Sequence, residues 1–141
     1  MAKFRYEMFV NLIYGDALTY EDLIGREQSL MVELTAYLQN IGATHIDFQP
    51  LGDALYAQCV FVEQDARNFE EVAGTVAQLS GQHVEGRLVF VGRDLGRIYC
   101  FFFADESCLG GRLNLPAPRQ GLAQMPPEMQ YASSKDRKPS D

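Results

Sequence analysis

The chain has 141 residues, with 12 Lys and Arg against 19 Asp and Glu, a net charge of -7, 47% hydrophobic and 22% charged side chains. That is the size of one domain with one core and the composition of an ordinary globular protein, which excludes collagen-like, coiled-coil and wholly disordered chains. No apolar run approaches the roughly 20 residues of a membrane helix and no signal-peptide core follows Met1, so a cytoplasmic protein with no membrane partner is expected.

From Phe4 to Tyr14 the even positions are Phe4, Tyr6, Met8, Val10, Leu12 and Tyr14, and the odd ones are Arg5, Glu7, Phe9, Asn11 and Ile13. This period of two predicts a strand with one strongly buried face, ended by Gly15-Asp16. Thr19 with Asp22 has capping-box spacing, and Leu23, Ile24, Leu30, Met31, Leu34, Leu38 and Ile41 recur at helical intervals, so a helix is expected from about 20 to 41 with Gly42 as its left-handed stop. Thr44 to Gln49 and Ala54 to Val62 alternate around Pro50-Leu51-Gly52-Asp53, a hairpin. Asn68 with Glu71 repeats the capping spacing before Phe69, Val72, Ala73, Val76 and Leu79, a second and shorter helix that stops at Gly81. Val84 to Val91 and Arg97 to Ala104 form a second hairpin across Gly92-Arg93-Asp94-Leu95-Gly96.

The order strand, helix, strand, strand, helix, strand, strand predicts an α+β domain over 1–108 with the ferredoxin-like split β-α-β arrangement (βαββαβ): one antiparallel sheet, both helices on a single face, and a fifth strand added at an edge. From Gly110-Gly111 onward, Pro116, Pro118, Pro126, Pro127 and Pro139 break any periodicity. Residues 109–141 are therefore read as an extended Pro/Gly-rich tail, disordered over its last ten residues.

Charge divides along the same line. Residues 1–108 hold seven basic and sixteen acidic side chains, or -9, and residues 109–141 hold five and three, or +2. An acidic body repels phosphate, so a nucleic acid is an unfavourable partner and a protein with a basic surface the better match.

Catalytic chemistry has little support. Cys59, Cys100 and Cys108 are odd in number at no metal-like spacing, and His45 with Asp47, two apart on a strand, lacks a third ligand. No nucleophile elbow or phosphate loop occurs, so neither cofactor, metal nor catalytic residue is assigned. Carboxylates beside Cys108, from Asp105 and Glu106, should raise its thiol pKa and leave it a poor nucleophile.

Val60-Phe61-Val62-Glu63, the helix ending Gln78-Leu79-Ser80-Gly81, and Val84-Glu85-Gly86-Arg87-Leu88 together resemble the second half of an RNA-recognition-motif domain, with Phe9-Val10-Asn11-Leu12 echoing its first strand. The resemblance implies an architecture. It places Ala57 and Cys59 where that family displays stacking aromatics, so RNA binding is not carried over with it.

The fifth strand is apolar on both sides, with Ile98, Cys100 and Phe102 on one and Tyr99, Phe101 and Phe103 on the other. Two helices cover one side only. The expected function is therefore a non-enzymatic protein-binding adaptor, regulatory module or inhibitor, docking through an outward face at Tyr99, Phe101 and Phe103 with Leu113 and Leu115 of the tail, or pairing an open sheet edge with another copy as a homodimer. The alternatives are a single-strand RNA or DNA binder using Arg87, Arg93, Arg97 and Tyr99 in the last hairpin, and a small-molecule enzyme with a site between sheet and helices.

Overall fold

A computed structural model describes residues 5–62 and 68–114. In chain order they form β1 (Tyr6–Tyr14), α1 (Tyr20–Asn40), β2 (Ala43–Pro50), β3 (Ala54–Phe61), α2 (Phe69–Ser80), β4 (Val84–Gly92), β5 (Arg97–Ala104) and β6 (Ser107–Asn114). The six strands make one sheet, antiparallel at every pairing, in the order β2-β3-β1-β4-β5-β6. β1 therefore lies at the centre, with the hairpin β2–β3 on one side and the meander β4–β5–β6 on the other.

The sheet has an inner and an outer face. Tyr6, Met8, Val10, Leu12 and Tyr14 of β1 are all buried, as are Leu55, Ala57, Cys59 and Phe61 of β3 and Val84, Leu88 and Phe90 of β4. They join Leu23, Leu30, Leu34 and Leu38 of α1 and Phe69, Val72, Ala73, Val76 and Ala77 of α2 in one cluster. Both helices thus press their apolar stripes onto the same side of the sheet, as the amphipathic spacing requires. The aromatic centre of this core is Phe69, the first residue of α2: its ring stacks on Phe90 at 3.8 Å and meets Tyr6 and Tyr99 edge-on at 4.7 and 5.1 Å.

The helix ends differ in how they are capped. Thr19 is extended and its Oγ1 accepts from the Asp22 backbone N–H at 3.2 Å, while Gly42 closes the α1 end at φ +92°. Asn68 does not cap α2, because its backbone is already helical (φ -91°, ψ -3°) and its side chain makes no capping bond, so the spacing with Glu71 misled. Arg26 of α1 ties the two halves together by donating from Nη1 to the Gln82 carbonyl.

One polar pair is built into the core. The Tyr14 hydroxyl donates to Oε2 of the buried Glu27 at 2.9 Å, and burial, then that bond and the carboxylate's charge, hold the phenol far above its ordinary pKa. Replacing Tyr14 with Phe deprives Glu27 of this donor and should cost about 1 to 2 kcal/mol. The linkage runs one way: above about pH 10 the unfolded phenol ionises while the folded one keeps its proton, so the native protein loses stability as pH rises further. Urea titrations at neutral and high pH should show that alkaline loss in the native chain and a shallower one in Tyr14→Phe.

The fifth strand is not at an edge. Ser107–Asn114 pairs with β5 over its whole length, from Ala104 opposite Ser107 to Arg97 opposite Asn114, so ordered structure continues past residue 109. Two features hid this strand. The hairpin turn is Asp105-Glu106, both with positive φ (47° and 73°), the backbone of a primed turn with no glycine or asparagine to announce it. Asp105 is held there by its carboxylate, which accepts from the His83 backbone N–H at 2.8 Å. The second feature is Gly110-Gly111, which reads as a loop but lies in the strand because the Phe101 ring and the Cys100 carbonyl occupy the space a side chain at 110 would need. Residues 115–141, including Leu115 and the expected disordered end, lie outside the described residues.

Candidate functional site

The orientation of β5 decides which side chains are available. Phe90 pairs with Tyr99, Leu88 with Phe101 and Gly86 with Phe103, so the odd residues of β5 continue the inner face of β4. Phe101 and Phe103 are accordingly only 6% and 4% exposed, and Tyr99 packs partly buried against the core. This corrects the sequence expectation that Tyr99, Phe101 and Phe103 project outward. The physical reason is the two-residue period: a register fixed by the turn sends one set of β5 side chains to the helices and the other to the open face.

The outward set is Ile98, Cys100 and Phe102. Phe102 is 60% exposed and its cross-strand neighbour Leu109 on β6 is 80% exposed. Among the described residues no helix covers this side, and the odd residues of β1 and the even ones of β3 also reach it: Phe9 half-buried, Ile13 and Tyr56 exposed. These side chains frame a shallow depression of about 470 Å³, lined by Asn11, Ile13, Tyr56, Arg87 and Phe102 with the carboxylates of Asp53 and Glu85 at its margins. Within it, Arg87 donates from Nη2 to the Asn11 side-chain oxygen at 2.8 Å. One arginine, bonded to a neutral amide, against two carboxylates among the lining residues leaves the local charge negative.

The alternative set of Arg87, Arg93, Arg97 and Tyr99 is not assembled on one face. Arg87 is on the open face, Tyr99 meets the rings of Tyr6 and Phe69 on the helix side, and Arg97 pairs with Asp94 at 3.6 Å beside the β4–β5 turn. The Arg97 guanidinium is raised further in pKa, first by Tyr6 and then by Asp94. Ala57 and Cys59 point inward, so the side chains that β3 offers to the open face are Ala54, Tyr56, Gln58 and Val60.

Between sheet and helices the described side chains are apolar apart from Glu27 and Ser80, and Ser80 donates to the Val76 carbonyl at 2.7 Å. His45 and Asp47 are separated by a β-bulge between Thr44 and Asp47, with His45 at φ 55° and its ring against Thr44 Oγ1 at 3.1 Å, which breaks the simple alternation expected of them. Among the described residues no three His, Cys, Asp or Glu side chains come together as a metal site, and no helix is long and apolar enough to cross a membrane.

The thiols report on the faces. Burial pushes the Cys59 thiol up to about 12, and burial followed by the charge of Glu70 raises Cys108, so the carboxylate acting on Cys108 comes from α2 and not from the neighbouring Asp105 and Glu106. Cys100 is half-buried on the open face and Cys108 half-buried on the inner side of β6. Alkylation of the native protein near pH 8 should therefore modify Cys100 and Cys108 while sparing Cys59, which reacts only after denaturation; peptide mass mapping reads the order.

Comparison with protein families, with curated proteins and with solved structures finds no match to this chain.

Proposed function

We propose that the chain is a cytoplasmic, non-enzymatic protein-binding module that docks a partner with a basic rim on the open face of its sheet. The observation that carries this reading is the set of exposed apolar side chains on a sheet face that no described helix covers, Ile13 and Tyr56 on one side of the Asn11–Arg87 pair and Phe102 and Leu109 on the other, with Asp53 and Glu85 among the same lining residues. Apolar side chains at this exposure on one contiguous face mark an interaction surface, and the carboxylates select the sign of the partner's rim. We read the first four strands, β2-β3-β1-β4 with each helix bridging two strands that flank a third, as the ferredoxin-like split β-α-β arrangement, extended by β5 and β6.

The test is capture of partners from the native host with the full chain, Phe102→Asp and Val32→Asp, each with and without nuclease. Val32 is at least as exposed as Phe102 but lies on α1, away from the open sheet face. A protein retained by the native chain and by Val32→Asp after nuclease, yet bound about thirtyfold more weakly by Phe102→Asp, supports the reading. In its complex, Cys100 should be protected from alkylation. Equal retention by Phe102→Asp overturns it.

A second reading is favoured by the aromatic content of the same face. Phe9, Tyr56 and Phe102 with Arg87 offer stacking surfaces to a single-stranded nucleic acid. Asp53 and Glu85 oppose it, since phosphate would approach a negative margin. A labelled single strand that binds at low salt and is lost in Tyr56→Ala would favour this reading over the first.

A further inference from the structure

We propose that β6 is a self-association edge: two copies pair their β6 strands antiparallel about a two-fold axis through Gly111, joining the two sheets into one. The proposal concerns the edge of the sheet and is independent of what docks on its face.

The two edges of the sheet are unlike. β2 is interrupted by the bulge between Thr44 and Asp47 and ends on Pro50, both devices that stop a strand from templating another. β6 carries neither. It runs in unbroken register with β5 for eight residues, contains no proline or lysine, and among the described residues nothing pairs with its other side. A strand of that length with a free row of backbone donors and acceptors is a template for a further strand.

The occupant follows from the symmetry of the sequence. A two-fold axis normal to the sheet keeps the open faces of both copies on one side, which allows only registers that oppose residues of equal parity. With the axis on Gly111, Leu109 of each copy stands opposite Leu113 of the other, and Gly110 stands opposite Arg112, so no like charges face each other and the two apolar pairs flank a glycine pair. Shifting the axis to Gly110 opposes Leu109 with Gly111 and loses both apolar pairs. At Gly111 itself a side-chain carbon would meet nothing within 4 Å and its φ is not positive, so the position is open on the edge and tolerant of substitution. Pairing also extends the exposed apolar surface, because Phe102 and Leu109 are neighbours on the outer face and Leu109, 80% exposed in one copy, gains a cover in two.

Charge separates this contact from partner docking. Each copy carries -7, so the two repel at low ionic strength and the strand pairing is held by backbone hydrogen bonds and apolar contact. Salt should tighten self-association, whereas it should weaken docking of a basic partner.

The experiment is sedimentation of the full chain over a concentration series at low and high salt, with three variants. The native chain is expected to form a dimer that tightens with salt. Leu109→Lys, at an exposed position, should keep the native Tm and weaken the dimer by at least about tenfold. Gly111→Cys, in a chain with Cys100→Ser and Cys108→Ser, should oxidise to a 111–111 disulfide, since opposed residues of antiparallel strands lie about 4.5 to 5.5 Å apart at Cα, within the span a disulfide bridges. Leu109→Cys in the same background should not link to itself, because in this register the two copies of residue 109 are offset by four positions. A chain that stays monomeric at every concentration, a dimer indifferent to Leu109→Lys, or a 109–109 link as ready as the 111–111 link overturns the proposal.

Discussion

Phe69→Ala is expected to destabilise the protein by about 3 to 5 kcal/mol, the largest loss of any single truncation of this core. The ring is fully buried and serves three strands at once, stacked on Phe90 of β4, edge-on to Tyr6 of β1 and to Tyr99 of β5. No smaller neighbour can collapse into that space, because Phe90 is itself pinned between Phe61 and Phe101 at 6.2 Å on either side. A domain of this size is stable by only about 5 to 15 kcal/mol, so the variant should show a urea midpoint shifted by a third or more, with the slope unchanged. Val32→Ala, on the solvent side of α1, should stay within about 0.5 kcal/mol of the native chain.

Much of the scaffold was legible because its signals are local. The even residues of β1 and the leucine spacing of α1 each state a period, and the buried faces observed are the ones those periods name. The strand bounds of β5 were legible for the same reason. Its orientation was not. Both sides of β5 are apolar, so composition gives no preference, and the choice rests on the turn from Gly92 to Gly96. There Leu95 takes φ 64°, and the Asp94 carboxylate accepts from the backbone of Gly96 at 3.1 Å and of Arg97 at 3.3 Å. One residue more or fewer in that loop would have turned Tyr99, Phe101 and Phe103 outward. A signal did exist in β4, whose Glu85 and Arg87 alternate with Val84, Leu88 and Phe90; coupled to the turn geometry it fixes the face. The open-face site was missed for the same reason. Tyr56, Phe102 and Leu109 come from three strands and fall into one cross-sheet row, with Asn11 and Arg87 between Tyr56 and Phe102, only once every register is known.

Gly110→Ala is expected to release β6 from the sheet, and the consequence is larger than a methyl group suggests. At Gly86 the atoms that a new side-chain carbon would meet all belong to the Phe103 ring, which can swing aside at the cost of its burial. At Gly110 they include the Cys100 carbonyl and the Phe101 Cα, the latter at 2.7 Å, so relief requires the β5 and β6 backbones to part. Overpacking of this kind costs about 1 to 3 kcal/mol, and the upper end applies where main chain must move. β6 holds no fully buried side chain among its described residues, so it can leave while the core under α1 and α2 persists. Gly86→Ala should therefore lower global stability with all strands in place. Gly110→Ala should leave Cys59 protected while Cys108 is alkylated markedly faster than in the native chain, and hydrogen exchange should accelerate selectively over 107–114. With the strand released, any self-association through this edge is abolished. A Cys108 alkylation rate and 107–114 exchange unchanged from the native chain in Gly110→Ala would mean that β6 stays paired and that glycine is not what its close approach to Phe101 requires.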